Sequence, residues 1–576
     1  MDFFSRARSW NWFLCIWALC YATALGFIPL PKLGAASPLG SAEPAPKQVA
    51  IIGAGAAGAS TAYSLRKYAE ESGTPLNVTV FERAAYVGGR STTVNVFDDP
   101  AYPIELGASI FVKVNYNLVN ASKELGLNVR GASSERPKEA EEVLGVWDGK
   151  QFVFAMEDSS SWWNIAKLIW RYGWAPVRTQ NLMKSTVNKF LQLYDEPLFP
   201  FRSLTAAAVS VGLIDATSTP GATFLDEHNI SPDFAREVIQ ASTRVNYGQN
   251  LPLIHGLESM VCMATDGAVS VEGGNWQIFD GMLKSARADV RLNHTVNAIT
   301  RNPDNSVTID YQDKFLRRIH RADFDEVVIA APYQYSALTV KPPLEHTPDT
   351  IPFHTLHVTL FSSPHRLSWK YFNLKGPSER VPETVLTTLP RDTDLGNTEE
   401  GVGPAKFWSI STLRTVTAPS ASSSSPDTPE ETNEEPQPHY VYKIFSPTRP
   451  TANFIRDILG LEHPTPTPDT NTDADTESSI ADLPREDISW SHEKVWHPYP
   501  FLYPRVTFED PLLAPSVWYT GGIESFISTM ETSALMGRNV AALIARSWED
   551  RDLDEDGDGE VRGLDDAPVV VERVEL

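Results

Sequence analysis

The stretch VAIIGAGAAGASTAYSLRKYA, Val49 to Ala69, carries Gly53, Gly55 and Gly58 in the spacing G-x-G-x-x-G. The chemistry such a turn serves is the seating of a pyrophosphate. The first glycine allows a tight turn out of a strand, and the second lets phosphate oxygens approach the backbone. The third lets helix and strand pack closely. The short apolar run before the turn predicts a buried parallel strand, and the residues after it have helical spacing. A second predicted strand, LNVTVFE, ends in Glu82, a carboxylate placed to accept the hydroxyls of an adenosine ribose. Strand, turn, helix and acidic strand end, in that order, predict dinucleotide binding.

Shortly after Glu82 stand GGRS, Gly88 to Ser91, and IELGAS, Ile104 to Ser109. This arrangement resembles the FAD-dependent amine-oxidase and desaturase superfamily. The resemblance implies that Gly89 and Arg90 lie along the FAD pyrophosphate. It also implies that Gly107, Ala108 and Ser109 let the isoalloxazine ring rest on the backbone. Later segments are implied to complete the enclosure, with Val296 meeting the adenine and Gly522 and Glu524 lying near the ribitol and pyrophosphate. Glu531 and Thr532 would begin a helix at the flavin N1–C2=O edge, where negative charge grows on reduction. The implied fold is α/β, a discontinuous Rossmann-like FAD-binding domain with a second, α+β substrate-binding domain.

The middle of the chain narrows the resemblance. RVNYGQ (Arg244 to Gln249), the pair His255-Gly256 and VEGGN (Val271 to Asn275) stand in the order of the prenylcysteine oxidase family, also called prenylcysteine lyase. HPYPFLYPR, His497 to Arg505, is similar to its C-terminal part. The likeness runs from Gln48 to about Trp548 apart from two inserts. It implies FAD-dependent oxidation of the thioether of farnesyl- or geranylgeranylcysteine, with O2 and water as co-reactants. Free cysteine, an isoprenoid aldehyde and hydrogen peroxide would be the products, and the step would serve breakdown of prenylated proteins. FAD would take the hydride, leaving the protein to position the substrate and exclude side reactions, so no catalytic acid or base is assigned. Asn246, Tyr247 and Gln249 are candidates for lining the substrate pocket, with a structural turn between two helices as the alternative reading.

These residues must be positioned by elements spread along the chain. Residues 1–24 read as a signal peptide, with Arg6 and Arg8 before an apolar stretch, and a signal anchor is the rival. A linker spans 25–47, rich in Pro, Gly, Ala and Ser. The FAD-binding domain is expected at 48–155, 270–335 and 510–548, and the substrate domain at 156–269 and 336–509. Segments 416–438 and 464–487 read as disordered inserts, because they lack aromatic residues and hold almost nothing to bury. In the acidic tail, 549–576, Asp554 to Asp565 carries Asp at loop positions 1, 3, 5 and 12 of a calcium-binding hand. The preferred reading is a solvated acidic tail, since no second helix follows, and weak calcium binding is the alternative.

Ser161 to Asp195 is aromatic and basic, and Trp162, Ile165, Leu168, Ile169 and Tyr172 share one helix face. That face reads as core packing, or as the apolar entrance of a lipid-like substrate with peripheral membrane contact. A net charge of −24 and the want of a nucleic-acid-type basic patch exclude nucleic acid as a partner. His354 and His357 are separated by an odd number, so they cannot chelate a metal together from one strand, and no metal is expected. Cys15 and Cys20 lie in the leader, which leaves Cys262 without a disulfide partner after cleavage. The leader, sequons at Asn77, Asn120, Asn229 and Asn293, and the family likeness imply a lysosome or vacuole, with secretion second. Two rivals remain: another FAD-dependent amine or isoprenoid oxidase, and a non-catalytic prenyl-binding escort protein.

Overall fold

The computed structural model describes residues 45–131, 142–157, 162–391, 393, 401–419, 438–463 and 478–555. The leader, most of the two inserts and the calcium-loop segment lie outside them. Pro46–Leu576 is one compact unit.

Alternation of short apolar strands with helices builds a six-stranded sheet. Its order is Leu512–Ala514, Val517–Tyr519, Glu326–Ile329, Lys47–Ile52, Leu76–Glu82 and Asp289–Leu292. All neighbours pair in parallel except the first two. Strands from the first, middle and last parts of the chain thus meet in one sheet. The central strand is continuously apolar, VAII, and Val49, Ala50 and Ile51 are fully buried, as expected of a parallel strand covered on both faces.

One face is covered by the helix Ala56–Ser72, crossed by the long C-terminal helix Met530–Glu555. The crossing is close, with Ser60 Oγ donating to Ala534 O at 2.7 Å and Gly537 seated over the Ala57 carbonyl. A four-stranded sheet packs Val296, Ile299 and Ile309 in one cluster with Phe81 and Ile329 of the main sheet.

The second large sheet has seven strands in the order Trp490–Trp496, Leu356–Ser363, Pro438–Ser446, Ser409–Thr417, Thr384–Thr387, Glu142–Trp147 and Phe152–Glu157. The helices between Trp162 and Val261 accompany it. Among the described residues no helix is long and apolar enough to cross a membrane.

Three expectations are corrected. The domain border at 155 falls inside the hairpin Glu142–Trp147 and Phe152–Glu157, which belongs to the seven-stranded sheet. The first strand begins at Lys47, within the expected linker. The inserts are shorter than composition suggested. Val416 is a buried strand residue, and 478–487 is ordered around the buried Ile480 and Leu483, with Ser479 and Asp482 forming a capping box. Two well-placed aliphatic side chains outweigh a polar average.

Candidate active site

The glycine turn has the geometry its spacing predicts. Gly53 takes φ +113°, and a Cβ there would stand 2.7 Å from the Ala330 carbonyl, so no other residue fits. The helix Ala56–Ser72 starts with no side-chain cap at Gly55 and no acid in its first turn, leaving its N–H groups for an anion. Gly58 lies buried in that first turn. Gly89 packs directly on Gly55. Glu82, nearly buried at the end of its strand, accepts the Ala54 N–H at 2.9 Å and the Ala84 N–H at 2.8 Å. These bonds set the carboxylate under the glycine turn and leave it further lone pairs for a sugar hydroxyl. Val296 is buried in the cluster that holds Phe81, beside Glu82 in sequence.

Arg90 and Glu524, 434 residues apart, form a two-pronged ion pair at 2.7 and 2.6 Å, and Arg90 also donates to Pro498 O at 2.6 Å. This clamp closes the last segment onto the first. Gly522 lies buried in the same short helical turn as Glu524.

The IELGAS loop is braced from both lobes. A Cβ at Gly107 would meet the Trp496 ring at 2.9 Å, and Ala108 is held at φ +52°. Asn275, fully buried, donates from Nδ2 to Ala108 O at 2.8 Å, donates its N–H to Glu105 Oε1 at 2.6 Å and accepts the Val271 N–H at 2.8 Å. Lys443 Nζ, reaching over from the seven-stranded sheet, donates to Glu105 O at 3.1 Å and to Ser109 Oγ at 3.2 Å. The VEGGN block is therefore a strut of the IELGAS loop. Burial pushes the Glu105 carboxyl up to about 8, against the pull of Asn275 and Lys443.

Glu531 does its work away from the helix it starts. It accepts from Asn117 N, Asn117 Nδ2, Leu118 N and the Tyr194 hydroxyl, at 2.8–3.0 Å, and so caps the helix Tyr116–Glu124. Thr532 Oγ1 donates to Ile527 O at 2.6 Å and fixes the turn before that helix.

RVNYGQ ends the helix Gln240–Tyr247, which Gly248 closes in the left-handed conformation, directly against the His354 ring. Tyr247 packs edge-on to Tyr499 at 5.1 Å and donates to Ser528 O at 3.0 Å, at the approach to the C-terminal helix. His354 stacks on Tyr499 and meets Trp408 and Phe501 edge-on, and burial drives its pKa down to about 4. These rings form an apolar, aromatic wall. Asn246 is half-buried and donates to Ser242 O at 2.9 Å. Gln249 is a correction: with no exposed surface, its amide binds Pro500 O and the Leu502 N–H, so its side chain holds a turn and lines no cavity.

Two residues escaped sequence reasoning. Arg244 is fully buried under the Trp408 ring, and its guanidinium binds Thr387, Asn250 and the carbonyls of Gly401 and Val402. Desolvation lowers its pKa to about 9. Glu258, following the His255 cap, is fully buried beside Tyr247 and the Ser528 backbone. Burial pushes its carboxyl up to about 8. An ionisable residue just after His255-Gly256 was the available signal, but sequence carries no measure of burial.

A nucleotide sheet assembled from both ends of the chain, clamped by Arg90 and Glu524 and faced by a second sheet, defines a two-lobed flavoprotein, and its cofactor is FAD. In fold alone it is similar to the cyclohexylamine oxidase from Brevibacterium oxydans IH-35A, with a TM-score of 0.51 and 17% identity over 88% of this chain and 100% of that one. The NAD(P)-binding Rossmann-like domain family matches residues 51–123, and the prenylcysteine lyase family matches residues 155–557. The farnesylcysteine lyase of Arabidopsis thaliana is 28% identical over 88% of this chain and 89% of that protein. Prenylcysteine oxidase 1 of Homo sapiens is 26% identical over 89% and 92%. The chain belongs to the prenylcysteine lyase family, and it is an FAD-dependent oxidoreductase.

Proposed function

We propose that this protein cleaves the thioether of a prenylated cysteine, using O2 and water and releasing free cysteine, an isoprenoid aldehyde and hydrogen peroxide. The observation that carries the reading is the family match across 155–557, which spans the aromatic wall and the C-terminal FAD element. When bound, FAD supplies the acceptor for the hydride on the prenyl carbon next to sulfur and is regenerated by O2. The chain's own part is to bind and orient. Gly53, Gly55, Gly58, Gly89 and Glu82 would hold the adenosine and pyrophosphate, with Gly522 and the Arg90–Glu524 clamp closing over them. Gly107, Ala108 and Ser109 would support the ring, with Val296 at the adenine and Thr532 at the helix start. Tyr247, Tyr499 and His354 supply a water-poor wall suited to an isoprenoid chain. A neutral His354 adds no charge to that wall.

The test is incubation of FAD-loaded protein with farnesylcysteine, reading peroxide, free thiol and aldehyde together. Equal yields of the three are expected, and peroxide from an amine but none from farnesylcysteine overturns the reading. Location in the secretory pathway, in a lysosome or vacuole, is part of the same proposal. It draws on the leader and on the exposed sequon residues Asn77, Asn120 and Asn229. A drop in apparent mass after endoglycosidase treatment is the expected result. Peripheral membrane contact also belongs to this reading, because its substrate is lipid-like.

A further inference from the structure

At the joint between the helices Trp162–Tyr172 and Ala175–Leu191, two indoles stand in water. Trp170 is 90% exposed and Trp174 is 64% exposed. Surfaces rarely leave two large aromatic rings uncovered within four residues of each other, and exposed apolar clusters mark contact sites. The charge around them is one-sided. Lys167, Arg171, Arg178, Lys184 and Lys189 are the ionisable side chains of Asp/Glu/Lys/Arg type between Trp162 and Tyr194, and no acid occurs there, in a chain of net charge −24. All five are exposed. Among the described residues, the acid paired with Arg171 is Glu237, which is buried and shared by Arg171 at 2.7 Å and by Arg236. A basic island with indoles at its tip, on an otherwise acidic molecule, complements an anionic lipid surface, where indoles settle at headgroup depth.

The position also has a use. The helix Ala175–Leu191 carries Trp174 at its start and runs about 25 Å. Near its far end, Phe190 lies 6.4 Å from Phe526, and Tyr194 bonds Glu531 at the start of the C-terminal helix. One helix thus links the exposed corner to the start of the C-terminal helix.

We propose that the corner formed by Trp170 and Trp174, with Lys167, Arg171, Arg178 and Lys184, docks this protein on bilayers that carry anionic headgroups. This deepens the prenylcysteine reading and rests on it only for what the docked protein collects. The test uses the unit from Pro46 to Leu576, loaded with FAD, in flotation with phosphatidylcholine vesicles and with vesicles that include phosphatidylserine. Binding to the anionic vesicles, weakened by added salt, is expected. Trp170→Ser with Trp174→Ser lowers the partition coefficient roughly 30-fold, as two partly buried indoles imply, and leaves peroxide formation from dissolved farnesylcysteine unchanged. Failure of the parent unit to float with anionic vesicles overturns the proposal. So does equal flotation of the double variant, or a salt-resistant dimer that the double variant abolishes in place of lipid binding. Flotation with this contrast but no peroxide from farnesylcysteine upholds the docking and overturns the functional reading.

Discussion

Glu258 is a carboxyl group with nowhere to put a charge. The unfolded chain gives up its proton above about 4.5, whereas the folded chain keeps it to about 8. Between those values the folded state holds the extra proton, so stability falls as pH rises through that window and is level above it. Each such group tilts the curve by up to about 1.4 kcal/mol per pH unit, and Glu105 contributes a second tilt of the same sign. Urea unfolding from pH 5 to pH 9 is expected to show this decline. Glu258→Gln, which keeps the shape and loses the proton equilibrium, flattens it and is more stable than the parent at pH 9. An unchanged slope in that variant would show that the site is hydrated and its carboxyl normal.

Among the elements, the loop Ile104–Ser109 depends on a neighbour far off in sequence. Asn275 satisfies Ala108 O, Val271 N–H and Glu105 at once from a fully buried position. Asn275→Ala strands the first two as buried, unpaired groups and is expected to cost about 2–4 kcal/mol. The loop it frees is the one assigned to the flavin ring, so FAD retention on gel filtration falls as well. A variant that loses stability but holds FAD at parent affinity would separate the strut from the cofactor. The helix pair Ala56–Ser72 and Met530–Glu555 makes a second demand. Gly537→Val drives a branched side chain into the Ala57 carbonyl, pushes the helices apart and is expected to lower the thermal midpoint and release FAD together.

For the whole molecule, the cradle closes only when both ends of the chain are in place. Strand Val517–Tyr519 joins the last segment to the middle strand Glu326–Ile329, and the Arg90–Glu524 clamp joins it to the first, so FAD recognises the finished fold and not the unfolded chain. Mass action then makes stability depend on cofactor concentration, by about 2.7 kcal/mol at a hundredfold excess over Kd. Unfolding midpoints measured across an FAD titration are expected to rise logarithmically and without saturation. Arg90→Ala weakens that response while leaving Glu524 an unpaired, mostly buried charge, so it lowers the midpoint even without FAD.

The glycine turn, Glu82 and the order of strand and helix were legible in the sequence because they are local. Steric limits on φ and a helix N-terminus act within a few residues, and spacing records them directly. The RVNYGQ and VEGGN blocks were legible as family marks, but not as a helix end and a strut. Their partners, Pro500, Leu502, Ala108 and Glu105, lie more than 150 residues away along the chain. Burial is the other quantity that spacing does not carry. Only the packing of two lobes raised Glu258 and Glu105, turned Gln249 into a turn-holder, joined Arg90 to Glu524 and left Trp170 and Trp174 outside. Chemistry within one turn of chain is written in residue order, whereas chemistry that depends on desolvation and distant partners is decided when the sheets close.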